Sequence, residues 1–179
     1  EPGHFRFSSV GESVLALDVK LGWTWRGLEK LAEGVTLERG LELAERICGS
    51  CACAHALAWC KAVEELAGIP VPPRARAIRT VAAELERVAN HLSDLGGVAN
   101  DVAYVVGAAE FARWKEVVHQ LADALFGHRW IRGVCVPGGV RTDLDDAQQH
   151  WLHTVLAELR TGVGLTSRAL LANEAVLDR

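Results

Sequence analysis

The sequence has no methionine, no excess of basic residues and no long apolar run. Its 19 basic and 23 acidic residues give a formal charge of −4, which argues against a nucleic-acid partner. No apolar stretch approaches the roughly 20 residues that span a bilayer, so we expect membrane association only through partner subunits. Because it starts at Glu1 and contains no methionine, we expect a processed chain or a piece of a longer one.

The cysteines lie close together, which argues against a disulfide scaffold. There are five, an odd number, and four of them fall between Cys48 and Cys60. Small secreted domains usually carry an even and more widely spread set. We therefore expect reduced thiols in a cytoplasmic protein, some of them directed at a metal. Cys53, Cys60 and Cys135 are expected to be packing residues.

Hydrophobic patterning predicts a mainly α fold, a helical bundle with a small N-terminal β-hairpin. Residues 4–20 alternate around Gly11, as in a hairpin. Farther along, an apolar stripe at helical spacing predicts a long helix, formed by Ile78, Val81, Leu85, Val88, Leu92 and Leu95. We expect one domain over residues 1–179, with the hairpin in 1–26 and the bundle in 27–179.

Several helix boundaries can be predicted from turn and capping residues. The long helix is expected to end or distort at Gly96-Gly97, and another helix is expected at about 110–125. Asp143 is the predicted N-cap of a last helical region that breaks or bends near Gly162 and Gly164. Arg79 is expected to lie off the apolar stripe, and the run of Glu84, Glu86 and Arg87 is expected on a solvated face.

The most informative segment runs from Arg46 to His55 and contains Cys48-Gly49-Ser50-Cys51. A Cys-x-x-Cys at a loop-to-helix junction lets two sulfurs converge, and the helix N-terminus stabilises thiolate. Gly49 is expected to permit a tight backbone. Thiolates suit soft metals, but two of them make only half a site. A redox dithiol, half of a zinc site and inert buried cysteines remain alternatives.

The segment resembles the R-x-C-G-x-C-x-x-x-H motif of [NiFe]-hydrogenase large subunits. Further pieces match the energy-converting, formate-hydrogenlyase-like branch in order and spacing across essentially the whole chain. These are Glu1-Pro2-Gly3-His4-Phe5-Arg6, Arg26-Gly27-Leu28-Glu29-Lys30, Pro72-Pro73-Arg74-Ala75, Glu84-Leu85-Glu86-Arg87, Asn90-His91-Leu92 and Pro137-Gly138-Gly139-Val140-Arg141.

The resemblance implies an oxidoreductase that oxidises hydrogen or reduces protons at a Ni–Fe centre whose iron carries cyanide and carbon monoxide. Cys48 would be a terminal thiolate on nickel, and Cys51 would bridge nickel and iron. Glu1 would pass the proton onward, while Arg46 and His55 would lie around the cluster. An iron–sulfur small subunit would take the electrons, and membrane-anchoring subunits would hold the complex at the inner face of the cell membrane.

Two departures from the family pattern keep other functions open. The family's second Cys-x-x-Cys would lie beyond Arg179, so this chain alone cannot complete the centre and is expected to be inactive by itself. Trp25 stands where relatives often have histidine. The alternatives are the homologous quinone-binding subunit of respiratory complex I, which has lost these cysteines and holds no nickel, and a non-catalytic assembly piece. A downstream D-P-C-x-x-C would favour the hydrogenase.

Overall fold

The alternating N-terminal segment forms an antiparallel hairpin of β1 (His4–Val10) and β2 (Ser13–Lys20). Gly11 occupies its turn with φ of 61°, a left-handed conformation that glycine adopts without a Cβ penalty. The hairpin prediction is therefore confirmed. The structure is a computed structural model and describes residues 3–177, so Glu1 lies outside the described residues.

The remaining elements are mostly helical, which confirms the predicted fold class. Their bounds are α1 Leu28–Leu31, α2 Leu37–Ala44, α3 Ala52–Ala67, α4 Pro73–Asp101, α5 Val105–Phe126, β3 Cys135–Val136, β4 Gly139–Val140, α6 Asp146–Leu171 and α7 Glu174–Leu177. Strands β3 and β4 pair as a second small antiparallel hairpin.

The chain divides into two compact units, with the boundary between Arg39 and Gly40. The first contains β1, β2 and α1, and the second contains α3 to α7 with the β3–β4 hairpin. The expectation that residues 1–179 form one domain stays a prediction.

The core of the second unit is built around α4 and α5. Along α4, Ile78, Leu85 and Leu92 of the predicted stripe are buried, and the intervening positions Val81, Val88 and Leu95 are partly buried against the same core. The largest fully buried side chains of α5 are Phe111, Val118 and Leu121. Burial of this apolar surface is the main stabilising contribution to the bundle.

Two helices continue where the sequence predicted a break. Helix α4 runs through Gly96 and Gly97 to Asp101, because packing of its C-terminal part, including the fully buried Ala99, outweighs the low helix propensity of glycine. Helix α6 likewise passes through Gly162 and Gly164 without interruption. The helix ends predicted at these glycines are therefore not found, and the distortion or bend predicted as the alternative stays a prediction.

The predicted cap of α6 is also wrong, by two residues. Asp145 is the N-cap, and its carboxylate accepts a bond from the Gln148 backbone N–H at 2.7 Å. The Gln148 side chain in turn accepts from the Asp145 N–H at 3.0 Å, which completes a capping box. Asp143 instead pairs with the Arg74 guanidinium at 2.7 Å.

Arg79, which the sequence placed off the apolar stripe, is buried in an ion pair with Glu64. Its Nη1 donates to Glu64 Oε2 of α3 at 3.1 Å, and its Nε and Nη2 donate to the carbonyls of Gly139 and Val136 at 3.0 and 2.7 Å. Glu64 also accepts from the Gly138 N–H at 2.8 Å. The pair therefore ties α3, α4 and the β3–β4 hairpin together, and the Arg79 hydrogen bond lowers the pKa of Glu64.

Arg79→Ala should lower the free energy of unfolding by about 3–5 kcal/mol, because it leaves the Glu64 carboxylate buried without its cation. Urea denaturation of the purified chain measures the change. The matched control is Arg87→Ala on the same helix, whose pair with Glu84 is exposed and should be worth less than about 1 kcal/mol. Equal losses for the two variants would contradict the role assigned to the buried pair.

Substitution by alanine at two glycines of α6 should change the stability of the protein in opposite directions. A Cβ at Gly162 would overlap the Trp114 indole of α5, whereas a Cβ at Gly164 would meet no atom within 4 Å. Gly162→Ala should therefore destabilise by about 1–3 kcal/mol through overpacking. Gly164→Ala should be neutral or stabilise by up to about 1 kcal/mol through helix propensity. Thermal denaturation of both variants measures the difference, and a stabilising Gly162→Ala would be inconsistent with this packing.

Candidate metal-binding cysteine pair

The Cys48–Cys51 loop connects α2 to α3, as the motif predicted. Cys51 is the N-cap of α3, and its carbonyl accepts the first helical bond from the His55 N–H at 3.2 Å. The expected need for glycine at position 49 is not found. Gly49 is outside the left-handed region, and a Cβ there would meet no atom within 4 Å.

The two thiols of the motif lie close enough to shift each other's pKa values. The Ser50 hydroxyl lies 3.5 Å from the Cys48 sulfur, and the Cys51 thiol also stabilises the Cys48 thiolate. Cys51 contributes most and Ser50 next, and together they lower the pKa of Cys48 to about 7. Burial, followed by the contact with Cys48, raises the pKa of Cys51 to about 11. Cys48 therefore ionises before Cys51, and both residues are partly accessible.

Helix α4 holds this loop through two polar side chains one turn apart. The Glu86 carboxylate accepts from the backbone N–H groups of Cys53 and Ala54 at 2.6 and 2.9 Å. The Asn90 amide donates to the Ser50 carbonyl at 2.8 Å. Glu86 is buried, so its predicted place on a solvated face is wrong. Burial raises the pKa of its carboxyl group, and the two backbone N–H donors oppose that shift.

Sequence reasoning missed Glu86 because the charged residues beside it are ordinary exposed ones. Glu84 and Arg87, in the same Glu-Leu-Glu-Arg run, form an exposed pair at 3.2 Å. Only the contact with α3 distinguishes Glu86 from Glu84, and that contact joins residues more than thirty positions apart. No local pattern in the sequence indicates this contact.

The other predicted site residues are placed as follows. Arg46 is exposed after the end of α2, and its guanidinium donates to the Glu42 carbonyl at 2.6 Å. His55 lies in the first turn of α3, half-buried, and its charge lowers the pKa of Glu86. Their suggested roles around a cluster stay predictions. Glu1 is outside the described residues.

The other three cysteines are buried, as expected of packing residues. Cys53, Cys60 and Cys135 are at most 1 % exposed, and the Cys53 and Cys135 thiols hydrogen-bond each other. Within residues 3–177, no group of three or more His, Cys, Asp or Glu side chains is arranged to hold a metal ion. Within the described residues, no third side chain of these types joins Cys48 and Cys51 in such a group.

A cavity of about 50 Å³ lies beside the loop, between α4 and α5. Ser50, Glu86 and Asn90 line one side, and Lys115 and His119 line another. The His119 ring is buried, its Nδ1 lies 3.0 Å from the Arg129 carbonyl, and its Nε2 has no hydrogen-bond partner in the described structure. Burial lowers the pKa of His119, which favours the neutral ring at pH 7.

Comparison with known proteins confirms the resemblance inferred from the sequence. Residues 26–95 match the family model described as nickel-dependent hydrogenase. The chain is 37% identical over 173 residues to hydrogenase-4 component G of Escherichia coli, covering 96% of the chain and 31% of that protein. It is 39% identical over 145 residues to formate hydrogenlyase subunit 5 of the same organism, covering 80% of the chain and 26% of that protein.

Two other similarities extend beyond hydrogenases. One subunit of the NADH-quinone oxidoreductase of Sinorhizobium medicae is 37% identical over 136 residues, which cover 76% of the chain and 34% of that protein. A chain of the membrane-bound sulfane sulfur reductase, an archaeal respiratory membrane complex, matches the whole chain with a TM-score of 0.90 and 27% identity, over 48% of its own length. The chain thus spans about a third of the curated relatives it matches.

The helices within residues 3–177 differ from membrane-crossing segments. None of them combines the length and the apolarity that crossing a bilayer requires.

Cys48 should react with alkylating reagents at unusually low pH, because the thiolate is the nucleophile. In the metal-free chain, its rate of iodoacetamide modification should rise through a pKa of about 7. Cys51→Ala removes the largest contribution to the lowered pKa and should move the midpoint up toward the ordinary value near 8.5, slowing modification at pH 7 by about tenfold.

Peptide mass spectrometry of timed samples gives the rate at Cys48 alone. Ser50→Ala is the matched comparison and should shift the midpoint less, since the Ser50 hydroxyl contributes less than Cys51. An unchanged profile in Cys51→Ala would disprove the contribution of Cys51 to the pKa of Cys48.

Proposed function

We propose, from the premise that this chain is a relative of the nickel-dependent hydrogenases, that it supplies the first cysteine pair of a Ni–Fe centre. The complete subunit would oxidise hydrogen reversibly, and this part alone would be inactive. The observation that carries the proposal is the proximity of the Cys48 and Cys51 thiols where the loop meets α3, with the pKa of Cys48 lowered to about 7. Thiolates bind soft metals.

The donor set fits half of such a centre. Cys48 would be a terminal ligand of nickel, and Cys51 would bridge nickel to an iron carrying cyanide and carbon monoxide. When bound, the centre would supply the low-valent metal at which hydrogen is split heterolytically. Two further thiolates would have to come from sequence outside residues 3–177, since the described residues offer no third ligand there.

The chain's own residues would handle the proton. A cysteine thiolate of the centre would accept the proton, and Cys51 is the cysteine predicted to be catalytic. Glu1 would take the proton onward, in line with the family glutamate it matches. Arg46 and His55 would orient groups around the centre.

Partners and location follow from the relatives. One of them, 38% identical over 151 residues, is the membrane-bound hydrogenase subunit alpha of Pyrococcus furiosus, and the solved relative belongs to a respiratory membrane complex. We infer an iron–sulfur small subunit as electron acceptor. We also infer membrane-anchoring subunits that hold this chain at the cytoplasmic face of the cell membrane.

The runner-up is a quinone-binding subunit without nickel, which the similarity to the NADH-quinone oxidoreductase of Sinorhizobium medicae supports. The resemblance implies that this branch has lost the cysteines at the positions of Cys48 and Cys51, whereas both are present here. The hydrogenase is therefore preferred. A non-catalytic assembly piece is the third candidate, and the downstream sequence separates all three.

Metal analysis of the full-length protein, matured in its own host, tests the proposal. It should contain about one nickel per chain, as a bound thiolate centre requires. Cys51→Ser should abolish both the nickel and hydrogen uptake. Cys60→Ala, in a buried cysteine assigned to packing, should retain the nickel. A nickel-free wild-type protein, or a full-length gene without a second Cys-x-x-Cys, would remove the hydrogenase assignment.

A further inference from the structure

We propose that Glu86 and Asn90 are positioning residues that hold the Cys48–Cys51 loop in its metal-binding geometry. Asn90 fixes the Ser50 carbonyl on one side of Cys51, and Glu86 fixes the Cys53 and Ala54 amides on the other. The inference deepens the proposed function and rests on it, because it concerns the same cysteine pair.

Both contacts come from one rigid element. Glu86 and Asn90 are four residues apart in α4, so their side chains leave the same face of the helix one turn apart. The Asn90 amide also donates to the Glu86 carbonyl at 3.1 Å, which restrains its orientation. The backbone before and after Cys51 is thereby held by a single helix that belongs to the core of the bundle.

Glu86 performs the task that an N-cap side chain usually performs. The first amides of a helix have no intrahelical acceptor, and a Ser, Thr, Asp or Asn at the N-cap normally accepts from the second or third of them. In α3 the N-cap is Cys51, whose side chain makes no capping bond. The second and third amides, of Cys53 and Ala54, bond to Glu86 instead. This arrangement leaves the Cys51 sulfur out of helix capping.

A carboxylate suits this position better than an amide. Each oxygen of Glu86 accepts from a different N–H group. A glutamine would offer one acceptor and one NH₂ donor, so one of the two backbone amides would face another donor.

The test compares four variants of the full-length protein matured in its host. Glu86→Gln keeps the shape of the side chain and removes its second acceptor, Glu86→Asp keeps the charge on a shorter stem, and Asn90→Ala removes the other contact. Glu84→Gln is the matched control, an exposed glutamate on the same helix. Nickel content, the infrared stretches of iron-bound carbon monoxide and cyanide, and melting temperature are measured for each.

Glu86→Gln should retain about a tenth or less of the wild-type nickel, the loss expected when a residue supporting a ligand is changed. Any centre that remains should show shifted infrared stretches. Glu86→Asp should retain more nickel than Glu86→Gln. Glu84→Gln should match the wild type in nickel content and in its infrared stretches. Asn90→Ala should also lower the nickel content. This variant tests the inference even if Glu86→Gln does not fold. Wild-type nickel and unchanged stretches in folded Glu86→Gln and Asn90→Ala would overturn the inference.

Amide hydrogen exchange separates this inference from the proposed function. In the metal-free protein, exchange across residues 51–54 should be at least about tenfold faster in Glu86→Gln than in Glu84→Gln, since the capping bonds are lost. If the wild type contains no nickel, the proposed function fails, and faster exchange still supports the role of Glu86 in holding the loop. Unchanged exchange in Glu86→Gln would overturn that role whatever the nickel content.

Discussion

The buried carboxylate of Glu86 is the interaction on which the geometry of the cysteine pair depends. It accepts hydrogen bonds from the backbone N–H groups of Cys53 and Ala54 in the first turn of α3, where the side chain of the N-cap cysteine makes no capping bond. Leaving two amides of a buried helix start without acceptors would cost about 1–3 kcal/mol each. That cost would favour unwinding the first turn of α3, and the first turn is the part that positions the Cys51 sulfur. Stability of the helix and placement of the sulfur therefore depend on one side chain.

Helix α4 makes this possible because it has a polar buried side as well as an apolar one. Arg79, Glu86 and Asn90 are spaced by seven and four residues, which places them within one narrow stripe of the helix surface. Arg79 binds Glu64 and the β3–β4 hairpin, while Glu86 and Asn90 bind the cysteine loop and the start of α3. The apolar stripe packs into the core beside this polar one. A shift in the position of α4 would therefore displace the cysteine loop directly.

Sequence reasoning succeeded where the signal is local and failed where it is tertiary. The apolar stripe of α4, the loop-to-helix position of Cys51 and the burial of Cys60 depend on spacing that the chain itself carries. Arg79 and Glu86 could not be recognised, because their partners are supplied by other elements and their neighbours are ordinary exposed charges. The cap of α6 was recoverable, since Gln148 follows Asp145 by three residues as a capping box requires, whereas Asp143 has no such partner.

The two ways in which this chain caps its helices bear on function. Helix α6 uses its own N-cap side chain, Asp145, which is the usual solution and needs no other element. Helix α3 has cysteine at that position and obtains its cap from a residue more than thirty positions away. A serine or aspartate at position 51 would cap α3 locally, so stability of the helix does not explain the cysteine there. The Cys51 sulfur takes no part in capping the helix, and the neighbouring Cys48 thiol has a pKa of about 7; both features suit metal ligation. A quinone pocket requires neither feature, which is a physical reason to prefer the hydrogenase among the candidate functions.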